Sequence, residues 1–459
     1  MNTHTVIIGG GISGLSAANF LSKKTSDFII VESDKRPGGI INTSLEGGYI
    51  CENGPNTILD NNPAIIELLK DINVHEELIY ANNEKLKKRY LLVNDRLTKI
   101  PMNFFDFVTT PILSIYSKFR VVFEIFISRH KNNTSVKNFI STRFGNEFHN
   151  KIIVPFLTGI YADDTSIMSA KNTVKILWRL EQKFGSIIIG LFKKEKTPPA
   201  KIFTLDGGLS KITSLLSDKF QNQILLETKV KGIKKESNCY KISFNNREDI
   251  VCKNIISTIP AYSLKEIIFD NRIKKALSNV DYNPIDVFHF GFNKKDIKNE
   301  IEGFGLLTKP EDRKSFLGIL FSSNIFSHVS GKDKFLMTVL VGGKRQKELC
   351  ELPPNEIEKI ILDEICKLFK INSNPELIKH FRWKNGIPSY SMMISSLEDE
   401  IKYFENKNSN FSIIGNYHLG VSVSDCINNA KNLIENKLYI DLRYLLGVVP
   451  NLFLKAFIK

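Results

Sequence analysis

The stretch HTVIIGGGISGLSAANFLSKK, residues 4–24, decides the fold of the first part of the chain. Its β-branched, apolar first residues are typical of a buried parallel strand. Small and apolar residues then recur at the spacing of a helix that packs on a sheet. A second apolar run, DFIIVES (27–33), predicts another buried strand that ends at Glu32. We therefore predict a Rossmann-like strand–loop–helix–strand unit.

The loop before the helix carries the pattern G-x-G-x-x-G. In such a loop the first glycine permits a tight turn, the second lets a pyrophosphate approach the backbone, and the third lets helix and strand pack closely. The helix N-terminus adds amide donors and partial positive charge. Glu32 lies 23 residues after Gly9, near the usual spacing of an acid that binds a ribose hydroxyl. A turn without a ligand is the alternative, but the full unit favours an adenine dinucleotide, with candidate residues Gly9, Gly11, Ile12, Ser13, Gly14, Glu32 and Ser33.

The next segment favours FAD over NAD. Arg36 and a second glycine pair follow the predicted ribose acid, and ENGPNTIL (52–59) adds another Gly-Pro turn. A second close approach of backbone to ligand suits a long, extended cofactor, and FAD uses more of a chain than NAD does. The further candidate residues are Arg36, Gly38, Gly39, Gly54, Pro55, Asn56 and Thr57.

Length and composition predict a globular protein of two or three domains. The chain has 459 residues, of which 42% are hydrophobic and 24% charged. The net charge of +14 would suit nucleic acid, anionic lipid or an acidic small molecule. Many lysines accompany Asn and Ile, as in proteins from AT-rich genomes, so we give the charge little weight and expect no nucleic-acid partner.

Cysteine and histidine patterns predict neither disulfides nor a metal. The six cysteines form no C-x-x-C, and the eight histidines form no H-x-x-x-H. We expect the first strand to begin by about Thr5, without room for a targeting peptide. No window of about 20 residues is free of charge, so we expect no transmembrane helix. Residues 101–130 and 438–459 are unusually apolar, however.

Seven further stretches, in order, give the chain a family resemblance. With the N-terminal motifs they resemble the flavin-containing amine oxidase superfamily, and within it the oxygen-dependent protoporphyrinogen oxidases. The resemblance spans residues 4 to about 435. The stretches are PFLTGIYADDTSIMSA (155–170), TLDGGLSKITSLL (204–216), GFGLL (303–307), LGILFSSNIF (317–326), LVGGKR (340–345), NGIPSY (385–390) and GNYHLGVSVSDCI (415–427).

The resemblance implies noncovalent FAD and extends its predicted site. Val230 matches a strand residue whose backbone holds adenine, and Thr258 matches the end of a return strand, although both could be ordinary core residues. Trp383 matches a residue near the flavin ring. The second flavin segment, at a helix N-terminus, is matched by Gly415, Val421 and Val423.

The resemblance also implies a substrate site. Arg89 falls where the family has an arginine for a substrate propionate, and a guanidinium binds a carboxylate in a charge-assisted, bidentate way. A solvated surface charge among Lys85, Lys87 and Lys88 is the alternative. The aliphatic residues predicted to contact the tetrapyrrole are Leu307, Leu320 and Leu340, the last where plant-like enzymes have a stacking phenylalanine.

We expect an α/β architecture of three parts. These are a discontinuous Rossmann-like FAD-binding domain, an α+β substrate domain and a helical membrane-associating domain, followed by an apolar basic tail. The predicted boundaries are 1–80, 200–262 and 383–435 for the FAD domain, 81–100 and 263–382 for the substrate domain, 101–199 for the helical domain and 436–459 for the tail.

The implied reaction converts protoporphyrinogen IX to protoporphyrin IX in haem biosynthesis. Six electrons pass in three rounds through FAD to oxygen, and hydrogen peroxide forms. No catalytic acid or base is assigned, because the macrocycle can lose protons by tautomerisation. Three alternatives remain: oxidation of coproporphyrinogen III, another enzyme of the superfamily such as an amine oxidase or carotenoid desaturase, and a non-enzymatic escort-type binding protein.

The apolar segments predict the location of the protein. A basic, aromatic helical region suits a membrane surface, from which a peripheral enzyme would collect an apolar macrocycle. We expect a cytoplasmic protein associated with the inner face of the cytoplasmic membrane, with the tail as an interfacial anchor. A buried helical core and a docked C-terminal helix are the alternatives. The sequence leaves the oligomeric state open, a homodimer included.

Overall fold

The computed structural model of the protein describes residues 1–194, 198–298 and 301–445, with side chains described up to residue 436. The predicted tail 436–459 therefore lies mostly outside the described residues. The strands are β1 (Asn2–Ile8), β2 (Phe28–Val31), β3 (Thr43–Glu46), β4 (Tyr49–Glu52), β5 (Ile58–Leu59), β6 (Leu78–Tyr80), β7 (Arg89–Val93), β8 (Arg96–Lys99), β9 (Ile202–Leu205), β10 (Ile224–Leu225), β11 (Val230–Lys235), β12 (Tyr240–Phe244), β13 (Ile250–Ser257), β14 (Tyr282–Asn293), β15 (Gly305–Leu307), β16 (Gly318–Leu320), β17 (Lys334–Gly342), β18 (Leu377–Pro388) and β19 (Phe411–Ile413).

The helices in the same ranges are α1 (Ile12–Ser22), α2 (Pro63–Asp71), α3 (Asn83–Leu86), α4 (Phe104–Thr109), α5 (Ile115–Val122), α6 (Val136–Phe144), α7 (Asn146–Phe148), α8 (Val154–Tyr161), α9 (Ala170–Thr173), α10 (Lys175–Phe184), α11 (Ile187–Lys193), α12 (Ser210–Lys219), α13 (Ala261–Ile267), α14 (Asn271–Leu277), α15 (Ser322–Ile325), α16 (Pro354–Phe369), α17 (Ile394–Lys407) and α18 (Val423–Leu445). Short 3-10 turns and one π-helical turn connect some of them.

The first sheet confirms the Rossmann-like unit. Its strand order is β10-β2-β1-β13-β12-β11, and β19 also pairs with β13. Strands β10, β2, β1, β13 and β19 run parallel, whereas β12 and β11 complete the sheet as an antiparallel pair. The central strands are apolar on both faces because helices cover both sides. Two later parts of the chain, residues 224–257 and 411–413, therefore add strands to the sheet that begins with β1 and β2.

Helix α1 is buried on nearly all sides, and this explains its composition. Eight of its first nine residues are small or apolar, the exception being Asn19 beside Phe20 near its end. It packs in one core cluster with α2, α12 and the first turns of α18. A helix enclosed in this way needs apolar or small residues all round rather than one apolar stripe.

The second sheet has the order β18-β14-β17-β16-β15-β7-β8. Its neighbouring strands are antiparallel except for β15 and β7. The apolar stretches DVFHFGF and KFLMTVLVGG form two neighbouring interior strands, β14 and β17. One face is packed by phenylalanines of β14 and by α16. The other face carries the candidate substrate residues, as the next subsection describes.

The third part, residues 101–193, is a layer of short helices, α4 to α11. A buried ionic cluster holds it together, because Arg143 contacts the carboxylates of Glu124 at 2.6 Å and Glu181 at 2.7 Å, and all three side chains are fully buried. Glu124 also accepts a hydrogen bond from the Ile187 amide at the start of α11. This cluster fixes the 3-10 turn Phe123–Phe126 against the rest of the layer.

Among the described residues, no helix is long and apolar enough to cross a bilayer. In the same ranges, no group of three or more His, Cys, Asp or Glu side chains is arranged to hold a metal ion. The six cysteines are free thiols.

Candidate flavin and substrate site

Four segments of the predicted cofactor site meet at the carboxyl ends of the parallel strands. Gly9 follows β1, Glu32 follows β2, Thr258 follows β13, and Gly415 comes two residues after β19. In open α/β sheets a ligand binds in the crevice at this edge. The Thr258 hydroxyl donates to the carbonyl groups of Ile8 and Gly9, which joins the ends of β1 and β13.

Glu32 is buried where the sequence predicts a ribose-binding acid. One carboxylate oxygen accepts the Gly10 amide at 2.6 Å. The other accepts the Asp34 amide at 2.9 Å and the Ser33 hydroxyl at 3.2 Å. These bonds hold the Glu32 carboxylate against the glycine loop and connect the Ser33 side chain to that carboxylate.

The glycine loop has the spaces that a bound pyrophosphate requires. A Cβ added to Gly14 would lie 1.9 Å from the Gly9 carbonyl oxygen, so helix and loop approach too closely for any side chain. A Cβ on Gly11 would instead meet open space, with Gly39 Cα nearest at 3.9 Å. Gly11 is also the N-cap of α1, so the free amides of the first helical turn, including those of Ile12 and Ser13, border this space. The residues present therefore fit a dinucleotide.

The second glycine pair lies directly against this loop. Gly11 and Gly38 form a parallel bridge, and the Gly38 amide donates to the Gly10 carbonyl at 2.8 Å. Arg36 donates to the carbonyl groups of Pro37, Gly39 and Ile41. Its guanidinium thus shapes this turn, and a direct contact with the cofactor stays a prediction.

The remaining predicted cofactor residues approach the same crevice from other elements. Val230 opens β11, just after Thr228, whose amide donates to the Glu32 carbonyl. Val421 and Val423 flank the start of α18, where Ser422 and Asp425 cap the helix. The Trp383 indole N–H donates to the Asn53 carbonyl at 2.6 Å, beside the loop of Gly54, Pro55, Asn56 and Thr57.

The predicted substrate residues share one face of the second sheet. Paired positions across the strands form a row of Arg89, Gly305, Leu320 and Thr338. The neighbouring row contains Leu91, Leu307, Gly318 and Leu340. Because side chains on one strand alternate between faces, residues two apart belong to the same face. The sheet therefore brings together Arg89, Leu307, Leu320 and Leu340, which are far apart in sequence.

Other parts of the fold cover this face. Gly159 of α8 lies so close that a Cβ there would be 2.6 Å from Leu307 Cδ2. Leu340 packs with Ala162, Trp383 and Ile387 in a small apolar cluster. Asp163 accepts the Ser389 hydroxyl at 2.5 Å at the edge of this cluster. Helix α8 therefore covers the part of this face around Leu307, and the apolar cluster covers the part around Leu340.

Arg89 differs from the lysines around it. Lys85 pairs with Glu302 at 3.1 Å, Lys88 also pairs with Glu302, and Lys87 pairs with Glu84 at 2.7 Å. No carboxylate of the described residues lies within ion-pair distance of Arg89. Its guanidinium carbon lies 4.7 Å from the centre of the Phe304 ring, and its Nε–H donates to the Leu86 carbonyl at 3.3 Å. Burial lowers the Arg89 pKa, yet an arginine this basic stays protonated at neutral pH.

Burial shifts the pKa of two titratable groups, His289 and Glu52, far from their ordinary values. His289 pairs with Thr338 across β14 and β17, and burial lowers the pKa of its imidazole to about 3. Burial raises the Glu52 pKa to about 7, although the carboxyl group is bonded by the Leu209 amide and Thr43. His289 is therefore neutral at physiological pH and is no ready proton acceptor.

Sequence reasoning missed Phe304 and Glu302. Both lie just before β15, and the Phe304 amide donates to the Lys88 carbonyl at 2.8 Å, so this segment runs beside Arg89. The stretch GFGLL was recognised as a motif, but its phenylalanine was not connected with Arg89. Because Glu302 is 217 residues from Lys85 in sequence, no local pattern could indicate their pairing.

Comparison with known proteins identifies the family of this chain. Residues 12–432 match the family model of flavin containing amine oxidoreductases. The chain is 28% identical to protoporphyrinogen oxidase 2 of Arabidopsis thaliana, over 92% of this chain and 91% of the relative. It is 26% identical to coproporphyrinogen III oxidase of Bacillus subtilis, over 95% and 98% of the two chains.

Solved structures show the same fold. A crystal structure of a presumed protoporphyrinogen oxidase from Exiguobacterium sp. 255-15 has a TM-score of 0.82 at 23% identity, covering 95% of this chain and 99% of that one. Putrescine oxidase bound to putrescine has a TM-score of 0.72 at 14% identity, with 96% and 99% covered. The chain belongs to the flavin-containing amine oxidoreductase family and is an FAD-dependent oxidoreductase.

Proposed function

We propose that this enzyme oxidises a porphyrinogen to the corresponding porphyrin. The observation that carries the proposal is the face of the second sheet on which an arginine, with no carboxylate partner in the part of the chain that the structure describes, lies beside three aliphatic residues. An apolar macrocycle with carboxylate substituents needs this combination. Relatives named for protoporphyrinogen and coproporphyrinogen oxidation support the same substrate class.

The residues of this chain would hold both reactants. The amides at the start of α1 would bind the pyrophosphate, and Glu32 would bind the ribose. FAD held there would supply the chemistry of hydride acceptance from the substrate and of reoxidation by oxygen, with hydrogen peroxide as the reduced product. Leu307, Leu320 and Leu340 would contact the macrocycle and exclude water, while Arg89 would hold a propionate. His289 is neutral and buried, so we propose that the macrocycle loses its protons by tautomerisation.

Within this class we propose protoporphyrinogen IX as the substrate. Coproporphyrinogen III is the second candidate, because one relative is named for it and because four cationic residues lie between positions 85 and 89. Three of the four have carboxylate partners in the structure, which favours the substrate with fewer carboxylates.

Aerobic turnover of the two porphyrinogens by the purified, flavin-containing enzyme tests this proposal. Porphyrin fluorescence should rise faster than autoxidation for both, with the higher kcat/KM for protoporphyrinogen IX. If neither rate exceeds autoxidation while FAD is bound, the porphyrinogen assignment is wrong. Oxidation of an amine instead would favour an amine oxidase.

We also propose that the enzyme works at the inner face of the cytoplasmic membrane. Helices α4 and α5 and the turn that follows carry an apolar surface whose members are each at least half exposed. Membrane surfaces bind amphipathic helices through such side chains. The buried Glu124–Arg143 pair anchors the turn that carries two of these exposed side chains, Phe123 and Phe126. The apolar surface consists of Phe104, Phe105, Val108, Ile115, Tyr116, Phe119, Val122, Phe123 and Phe126.

Flotation with lipid vesicles should distinguish the apolar surface from other exposed apolar residues. The double change Tyr116→Ser and Phe119→Ser should weaken vesicle binding by about tenfold or more, since each side chain loses burial worth about 1.5–3 kcal/mol. Leu45→Ser changes an exposed residue outside this surface and should leave binding unchanged. Equal flotation of all variants would contradict the proposal, and deletion of residues 438–459 tests the predicted anchor separately.

A further inference from the structure

The loop before β15 contacts Lys85, Lys88 and Arg89. Gly303 has a positive φ of 101°, and a Cβ there would lie 2.3 Å from the Lys88 carbonyl oxygen. This close approach brings Glu302 onto the lysines and Phe304 onto Arg89. The same short loop therefore neutralises two ammonium groups and positions one guanidinium.

Glu302 binds Lys85 and Lys88 together. Its carboxylate oxygens each accept from one of the two ammonium groups. These bonds hold the Glu302 pKa below its usual range, so the group is ionised at neutral pH. Lys85 and Lys88 are thus less available to a carboxylate of a ligand. Arg89 remains as the cation of this stretch without a carboxylate partner among the described residues.

We propose that Glu302 is a specificity-determining residue that disfavours porphyrinogens with more carboxylates. This inference rests on the proposed function. Coproporphyrinogen III carries two carboxylates more than protoporphyrinogen IX. The negative charge of Glu302, which binds Lys88 next to Arg89 in the chain, repels each additional carboxylate and occupies the lysines that could bind it. With Glu302 neutral, Lys85 loses this ion pair and can bind an additional propionate.

The test compares Glu302→Gln with Glu84→Gln. Both changes remove one negative charge from the same region, but Glu84 pairs with one lysine, Lys87, among the described residues and is more exposed. At low salt, Glu302→Gln should raise the ratio of kcat/KM for coproporphyrinogen III over protoporphyrinogen IX by about two- to fivefold, the range expected for exposed charge pairs. The ratio for Glu84→Gln should stay near that of the wild type, and higher salt should reduce the effect.

A third variant and a binding measurement complete the design. Glu302→Asp keeps the charge and should keep the wild-type ratio. Fluorescence quenching by the two product porphyrins should show the same order of affinities without turnover. An unchanged ratio in Glu302→Gln, or an equal change in Glu84→Gln, overturns the role of Glu302. A wild-type enzyme that oxidises neither porphyrinogen overturns the proposed function itself, and with it this inference.

Discussion

The variant Gly11→Ala is expected to fold normally and to lose FAD. In the free protein the added Cβ meets open space, so no contact is broken. An alanine can even stabilise the fold by up to about 1 kcal/mol, because the unfolded chain loses freedom. The methyl group would occupy the space through which a pyrophosphate approaches the backbone, and affinity for FAD should fall by at least about tenfold.

Two other glycines provide the comparison. Gly14→Ala forces a Cβ against the Gly9 carbonyl and should lower the free energy of unfolding by about 1–3 kcal/mol, the usual cost of overpacking. Gly331→Ala, where a Cβ would make only an ordinary contact with Lys334, should change neither stability nor flavin content. Flavin absorbance after denaturation measures bound FAD, and urea unfolding of the apoprotein measures stability. Full FAD binding by Gly11→Ala would mean that the pyrophosphate binds elsewhere.

Replacing Arg89 with alanine should weaken substrate binding strongly while FAD stays bound. A hydrogen-bonded charge pair is worth about 1.5–3 kcal/mol, so KM should rise about ten- to hundredfold. The structure supports a binding role over a purely structural one, because the guanidinium has a ring on one side and no carboxylate partner among the described residues. Arg89→Lys keeps the charge but loses the planar fork, and should lie between the alanine variant and the wild type.

Lys87→Ala serves as the matched control for Arg89. Lys87 is an exposed cation two residues away, paired with Glu84 on the surface. Its removal should leave KM within about twofold, as is usual for an exposed ion pair. If both variants raise KM equally, Arg89 acts only through the general positive charge of the region. Loss of FAD from Arg89→Ala would show that the residue is structural.

The Rossmann-like unit was predictable because its signals are local. The apolar strand, the glycine loop and the apolar helix occupy one stretch of about 30 residues, and their spacing alone predicts β1, α1 and β2. Within that unit, Arg36 shows the limit of such reasoning. Its position in the motif is apparent from sequence, but its bonds to the carbonyl groups of Pro37, Gly39 and Ile41 depend on how the turn folds.

The substrate face was predicted only through the family resemblance. Arg89, Leu307 and Leu340 come from three separate strands, and no periodicity connects them. Their common face depends on the register of the second sheet, which is set by contacts between distant strands. The pairing of Lys85 and Lys88 with Glu302 was not predicted for the same reason, because Glu302 lies more than 200 residues away from them in sequence.

Anaerobic mixing of the purified enzyme with protoporphyrinogen IX tests porphyrinogen oxidation at this site most directly. The isolated protein should be yellow, and its flavin absorbance should be bleached as the porphyrinogen is consumed. Admission of oxygen should then restore the flavin spectrum, with hydrogen peroxide formed. A flavin that keeps its full absorbance in excess protoporphyrinogen IX and coproporphyrinogen III would contradict the assignment of this site to porphyrinogen oxidation.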